Sequence, residues 1–164
     1  MFIRRHQQCP ECREIADRHY NRRKVGSSKF CPPGRQLVLL SEDKKALWVS
    51  LFQKPEYTDH QWRGAWVNSL FRNEGPELAS RLIRRAVAVT CFYWRPIPTS
   101  GLITFVDPKK IKPNQHPGYC YIKAGFREIG KTKVNNLLVF QLLPEDMPEP
   151  RRALDDDQMY FDFP

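Results

Sequence analysis

The chain has 164 residues, of which 41% are hydrophobic and 27% are charged, and its formal net charge is +9. This length and composition predict one folded domain with a sizeable core. No apolar run approaches the roughly 18 residues that a membrane span requires, and the N-terminus lacks an apolar segment of signal-peptide length. We therefore expect a protein of the cytoplasm. Five unevenly spaced cysteines indicate reduced thiols rather than a disulfide framework.

The charge is unevenly distributed along the chain. Residues 1–143 hold 25 basic and 11 acidic residues, a net charge of +14, and we expect them to form the single domain. Residues 144–164 hold two arginines and seven acidic residues, a net charge of −5, and we expect this proline-rich tail to lie outside the core. A strongly basic body favours a polyanionic partner such as nucleic acid. The acidic tail either solubilises the chain or shields the basic surface.

One helix and three strands are predicted in the first half of the chain. Ile15, Ala16 and His19 or Tyr20 fall at helical spacing, which predicts a helix from about Glu11 to Asn21. Apolar runs bounded by turn-forming residues predict strands at 36–40, 46–52 and 64–71. The first two of these strands are separated by a short polar turn, so we expect them to pair antiparallel.

The second half alternates helices with strands. A proline in the first turn and one apolar stripe, with arginines on the other side, predict a helix from Pro76 to about Cys91. A nearly continuous apolar run predicts a strand at 102–106 that is covered on both faces. A short helix within 116–126 and a strand at 136–143 follow. The long helix and its flanking strands form a βαβ crossover, so we predict an α+β fold with a mixed sheet.

The most informative segment joins the strand at 102–106 to the short helix. The strand ends in Asp107-Pro108, and the motif His116-x-Gly118-x-x-Tyr121-x-x-Ala124 follows. An apolar strand places a terminal carboxylate where open α/β sheets collect ligands, although an aspartate before a proline is also a common turn former. The segment resembles the fifth strand and fourth helix of the GNAT acetyltransferase fold. Its spacing is similar to that of the Mom family of phage DNA-modifying enzymes.

The resemblance covers about residues 12–143 and implies both a fold and an activity. It implies a GNAT-like, mostly antiparallel central sheet with flanking helices. It also implies an enzyme that transfers a group derived from acetyl-coenzyme A, or a related acyl-coenzyme A, to the N6 amine of adenine in double-stranded DNA. The family's carbamoylmethylated adenine blocks host restriction enzymes, so a phage-encoded member would act in the host cytoplasm.

A coenzyme A site is expected before the long helix. Free N–H groups at a helix N-terminus bind pyrophosphate, Arg72 supplies a fork-shaped donor, and Gly75 allows close approach to the backbone. The resemblance implies that Arg72, Gly75, Ser80 and Tyr121 bind the cofactor. Glu77 departs from the family pattern, which has Gly or Ala at that position. An anion is unfavourable beside a phosphate, so this departure counts against a coenzyme A site.

The acceptor side of the site is expected at the end of the first helix. A histidine can act as a base or a metal ligand, and a tyrosine as a general acid. The resemblance implies that His19, Tyr20, Asp107 and Tyr121 are catalytic, with Tyr121 protonating the leaving thiolate. It also implies iron bound by His19 and Asp107, with His116 nearby in sequence. The alternative is that Tyr20 packs on the sheet and His19 is solvated.

Nucleic-acid contacts and a zinc site are two further hypotheses. Three aromatic residues are candidates to stack on an extruded base and three arginines to contact phosphates, unless they serve in the core: Tyr20, Trp62, Trp66, Arg22, Arg23 and Arg63. Cys9-Pro-Glu-Cys12 is half of a zinc knuckle, and only Cys31 and nearby histidines are available to complete it. Two alternative functions remain open: a GNAT that acetylates a protein or small molecule, and a non-catalytic, zinc-stapled DNA-binding protein.

Overall fold

The computed structural model describes residues 1–154 of the chain. Three α-helices and seven strands make up its regular structure. The helices are α1 (Pro10–Asp17), α2 (Ala79–Tyr93) and α3 (Tyr119–Lys123). The strands are β1 (Phe2–Arg5), β2 (Arg35–Ser41), β3 (Ala46–Phe52), β4 (Trp66–Asn73), β5 (Leu102–Val106), β6 (Arg127–Lys131) and β7 (Leu138–Leu142).

The strands form one mixed sheet in the order β1-β2-β3-β4-β5-β7-β6. All neighbours are antiparallel except β4 and β5, which are parallel and connected through α2. The predicted α+β class, the mostly antiparallel sheet and the βαβ crossover are therefore confirmed. The β4–β5 pairing is short, because it covers only Trp66 to Asn68 against Leu102 to Thr104.

Helices cover both faces of this sheet. Successive residues of a strand point to opposite faces, so Leu39 and Trp48 pack into a core with α2 and α3, whereas Leu40 and Val49 pack with Ile15 and the rest of the buried face of α1. Four of the five residues of β5 are buried, as a strand covered on both faces requires. The crossover helix α2 and the first helix α1 thus lie on opposite sides of β4.

Two edge strands escape the sequence patterns. β1 has only four residues, two of them arginines, and every residue of β6 is exposed. Neither has the alternation that reveals a half-buried strand. The remaining elements lie close to the predicted ones, with one end of each long helix misplaced. The first helix ends at Asp17 rather than near Asn21, and the crossover helix begins at Ala79 rather than at Pro76.

The prediction that the chain from Pro144 onward lies outside the core is wrong for the part that the structure describes. The backbone N–H of Arg151 donates to the Ala88 carbonyl on α2 at 3.0 Å, and Ala153 is buried. Leu154 then forms a parallel bridge with Ile3. The segment therefore fastens α2 to the β1 edge, and residues 155–164, which hold four of the seven acidic side chains, lie outside the described residues.

None of the helices in residues 1–154 has the length and apolar character needed to cross a membrane.

Candidate functional site

The two parallel strands separate after their short pairing and leave a gap in the sheet. Asn68 and Thr104 form the last β4–β5 pair. On the other side of β4, Val49 pairs with Leu70 and Ser50 with Asn68, so Ser69 is an extra residue that forms a β-bulge. A cleft of about 160 Å³ lies here, lined by the bulge and by residues of β5 and α3. A bulge beside a gap presents backbone groups that the sheet does not use.

Asn68 organises polar groups beneath this cleft. Its amide nitrogen donates to the Val49 carbonyl at 3.1 Å and to the Leu70 carbonyl at 2.8 Å, which fixes the side chain across the bulge. Its Oδ1 accepts hydrogen bonds from the Tyr121 hydroxyl at 2.7 Å and from the Thr104 hydroxyl at 3.3 Å. The buried Tyr121 hydroxyl is therefore held at a defined position in the cleft wall.

Ser69 contributes an unused hydroxyl to the same wall. Its Oγ is enclosed by protein and has no hydrogen-bond partner among the described residues, while other atoms of Ser69 line the cleft and a larger neighbouring one. An unsatisfied buried hydroxyl costs about 1–3 kcal/mol. A bound ligand with an acceptor oxygen would recover that cost.

His19 and Tyr20 follow α1 and reach the edge of the cleft. Their rings stack with centroids 4.5 Å apart. The His19 Nδ1 lies 2.5 Å from the Asn21 Oδ1, and the Asn21 amide donates to the Ser69 carbonyl at 3.2 Å. The end of α1 is thereby fastened to the bulge of β4, and both side chains line the cleft.

Tyr20 and Asp107 meet at the mouth of the gap, where both line a second cleft of about 410 Å³. The Asp107 carboxylate accepts from the Lys109 backbone N–H at 3.0 Å, so Asp107 caps the short 3-10 turn that follows β5. The structure thus brings His19, Tyr20, Asp107 and Tyr121 around two adjoining clefts. It also shows the turn-capping role that the sequence left as the alternative for Asp107.

The surroundings shift the protonation of these groups. Burial lowers the pKa of His19, and hydrogen bonds to Asn21 and to the Phe71 backbone oppose this, while the charge of Arg72 adds to it. Burial raises the pKa of Tyr20; the Asp107 backbone N–H opposes the rise and the Asp107 carboxylate supports it. Burial also raises the pKa of Tyr121 well above its ordinary value. At neutral pH the site therefore holds a neutral imidazole and two protonated phenols.

The Arg72–Gly75 loop holds an ion-paired cluster. Glu74 accepts from Arg18 through both carboxylate oxygens at 2.7 Å and from Arg72 at 2.6 Å, and these bonds lower the pKa of Glu74 to about 2. Gly75 packs against the β2–β3 turn, because a Cβ there would lie 3.1 Å from both Asp43 and Lys45. Two cations share one anion, so the cluster keeps a net charge of +1.

The first turn of α2 is open in the described structure. Its N-cap residue, Leu78, makes no side-chain capping hydrogen bond, so N–H groups of the turn, which includes Ser80, are left for another acceptor. Glu77 pairs with Arg85. The carboxylate is thereby neutralised beside the helix terminus.

Two expected nucleic-acid contacts are wrong. Trp66 is buried in the core against Trp94, so it is not available to stack on a base. The Arg22 side chain is only 7% exposed and is bonded to Asp17, to the Lys29 carbonyl and to the Ser27 carbonyl, so it stabilises the loop rather than contacting phosphates. By contrast, Arg23 and Arg63 are exposed.

The described residues do not form a metal site. Nowhere in residues 1–154 do three or more His, Cys, Asp or Glu side chains group as metal ligands require. Cys9 and Cys12 are free thiols, and burial raises the pKa of the Cys12 thiol. At the proposed iron site, His19 contacts Asn21 and Asp107 caps a turn, which leaves two candidate ligands. These residues do not fit iron or zinc without further ligands.

Four residues of the site were missed from the sequence, namely Asn21, Asn68, Ser69 and Thr104. One signal was present, because Asn68-Ser69 interrupts an otherwise apolar run. A polar pair inside a buried strand marks a bulge or a polar network. Asn21 had no such signal, since its role depends on where α1 ends.

A third cleft, of about 720 Å³, extends the site outward. It shares His60, Phe105 and Leu137 with the second cleft. The rings of His60, Trp62 and Phe105 contact one another in it, with centroids 5.4–6.2 Å apart.

Comparison with protein-family models, with curated proteins and with solved structures found no match to this chain.

Proposed function

We propose that this protein is a GNAT-like transferase of the Mom type, which uses an acyl-coenzyme A-derived group to modify the N6 amine of adenine in DNA and so protects that DNA from restriction. One observation carries the proposal. Beside the gap between β4 and β5 lie two hydroxyls, of Ser69 and Tyr121, and at its mouth lie Tyr20 and Asp107. Donor-side and acceptor-side groups therefore flank one opening in the sheet.

The architecture supports the donor half of the proposal. The parallel strands β4 and β5 part after three residue pairs, beside the crossover helix α2, and leave room there for a ligand. The open first turn of α2 and the cationic Arg18–Glu74–Arg72 cluster suit a pyrophosphate. A bound thioester would supply an activated carbonyl carbon, and the unpartnered Ser69 hydroxyl would donate to its oxygen once the side chain rotates toward the cleft.

The proton inventory supports the acceptor half. The exocyclic amine of adenine is a weak nucleophile, so its attack requires positioning and removal of a proton. His19, neutral at pH 7, and the Asp107 carboxylate are acceptors for that proton. The amine nitrogen would gain a bond to the transferred carbon as the carbon–sulfur bond breaks, and Tyr121, which burial keeps protonated at neutral pH, would supply the proton that the leaving thiolate takes up. Protons and charge balance across these residues.

Nucleoside mass spectrometry tests the proposal. DNA from cells expressing the protein should contain a modified adenine, and DNA from cells expressing Tyr20→Phe or Asp107→Asn should contain roughly 10²–10⁴-fold less. The expression level and melting temperature of each variant serve as controls for folding. Arg72→Ala should weaken acyl-coenzyme A binding in calorimetry by about 1.5–3 kcal/mol.

The outcomes separate the proposal from its alternatives. Tight acyl-coenzyme A binding without modified DNA would replace it with an acetyltransferase acting on a protein or small molecule. DNA binding with stoichiometric zinc and no acyl-coenzyme A binding would replace it with a zinc-stapled DNA-binding protein. Acyl-coenzyme A affinity that is unchanged in Arg72→Ala would remove the loop from the donor site.

A further inference from the structure

The third cleft joins the proposed transfer site to a cationic surface. It meets the second cleft at His60, Phe105 and Leu137, and the second cleft contains Tyr20 and Asp107. An open path therefore runs from the β4–β5 gap to the loops that precede β4 and β7. We call this path, formed by the second and third clefts, the outer groove.

Aromatic rings form the floor of the outer groove. His60, Trp62 and Phe105 are each half-buried and line the third cleft, and their ring planes are tilted by 37–58° to one another. Aromatic rings facing a cleft bind other flat rings, and stacking with a nucleobase tolerates any base because every base has a π-face.

The rim of the groove is cationic. Four exposed cationic side chains lie along it, and none of them makes an ion pair within residues 1–154: Arg23, Arg63, Lys110 and Lys133. On the rim of the third cleft, Asp59 is the acidic lining residue. Unpaired cations beside an aromatic floor are the combination by which proteins bind the backbone and the unstacked bases of single strands.

We propose that the outer groove binds a single-stranded segment of nucleic acid, with phosphates on the cationic rim and an unpaired base on the aromatic floor. This deepens the proposed function and rests on it for the identity of the reacting base. A base in a duplex has to be flipped out at a cost of roughly a few kcal/mol. An unpaired base avoids that cost, so the groove selects single-stranded over duplex DNA.

Fluorescence anisotropy with a labelled 15-nucleotide single strand, and with the same strand in a duplex, tests the groove. The double variant Arg63→Gln, Lys133→Gln should weaken single-strand binding about 25-fold at 0.1 M salt and reduce the salt slope by about 1.4, because each single-strand phosphate contact contributes about 0.7 to that slope. The matched control, Arg95→Gln with Lys29→Gln, removes the same charge at exposed positions outside the groove and should stay within about twofold of wild type.

Trp62→Leu separates stacking from charge. It should weaken single-strand binding about tenfold while leaving the salt slope unchanged, since it removes a ring and no cation. Because Trp62 is half-buried, the melting temperature of the Trp62→Leu protein is measured in parallel. If that protein does not fold, the double variant Arg63→Gln, Lys133→Gln decides whether the groove binds single strands.

The outcomes distinguish the groove from the transfer chemistry. Duplex bound as tightly as single strand, or groove and control variants that bind alike, would overturn the groove assignment. The expected binding pattern without any modified adenine would leave the groove standing and refute the proposed reaction. Normal adenine modification by the groove double variant would instead leave the proposed reaction standing and refute the groove as the binding site of its substrate.

Discussion

Tyr121→Phe separates a catalytic from a structural role for the most deeply placed phenol of the site. Tyr121 is 8% exposed, and its hydroxyl donates to the Asn68 Oδ1 at 2.7 Å. The substitution removes this hydroxyl and leaves the ring, which packs against Phe126 and Phe140. Folding should therefore survive while the proposed proton donor to the thiolate is lost.

The stability cost follows from the hydrogen bonds of Asn68. Its Oδ1 keeps the weaker bond from the Thr104 hydroxyl at 3.3 Å, so the acceptor is not left wholly unsatisfied. The net loss is about 1–1.5 kcal/mol. For a domain of this size that lowers the melting temperature by roughly 2–6 °C. The rate of transfer should fall by roughly 10²–10⁴-fold, as for the loss of a general acid.

Thr104→Val is the matched control. It removes the other hydroxyl that donates to the same Asn68 oxygen, at a somewhat smaller cost in stability because that bond is longer, and it removes no proposed proton donor. Single-turnover modification of adenine and thermal unfolding are measured for both variants. A Tyr121→Phe enzyme that loses stability but transfers at the wild-type rate would refute the acid role. Equal loss of transfer in both variants would instead assign the effect to the position of Asn68.

Three further outcomes are expected. Gly118→Ala should destabilise the fold by more than about 3 kcal/mol in urea, because its Cβ would lie 2.2 Å from a buried aromatic ring, whereas Gly26→Ala, with a similar positive φ and open space, should cost about 1 kcal/mol. The pKa of His19 is lowered in the folded protein, so the neutral imidazole stabilises the fold fully above about pH 6.5, and this stability is lost as the pH falls through the folded pKa. A plot of the urea midpoint against pH should therefore be flatter for His19→Gln than for the wild-type protein. Glu74→Gln should lower the free energy of unfolding by about 1–2 kcal/mol at pH 7. The wild-type protein loses this contribution as the pH falls from about 4.5 toward 2. An unchanged urea midpoint at pH 7 would show that solvent screens the cluster fully.

Local patterns in the sequence were sufficient for most of the fold. The apolar run at 102–106 predicts β5 with its observed bounds, and the stripe after Pro76 predicts the crossover helix, because burial on one or two faces imposes a period that the residues record. β1 and β6 carry no such period, since β1 is short and pairs with a strand some 30 residues later, and β6 is an exposed edge strand that buries neither face.

The site divides in the same way. The resemblance to the GNAT and Mom motifs named His19, Tyr20, Asp107 and Tyr121, and the structure places these residues along two adjoining clefts. Only the tertiary structure brings the end of α1 to the bulge at Ser69 and separates β4 from β5. It alone assigns Trp66 to the core and Trp62 to the groove, because burial depends on which elements pack over each strand, and no local pattern encodes that choice.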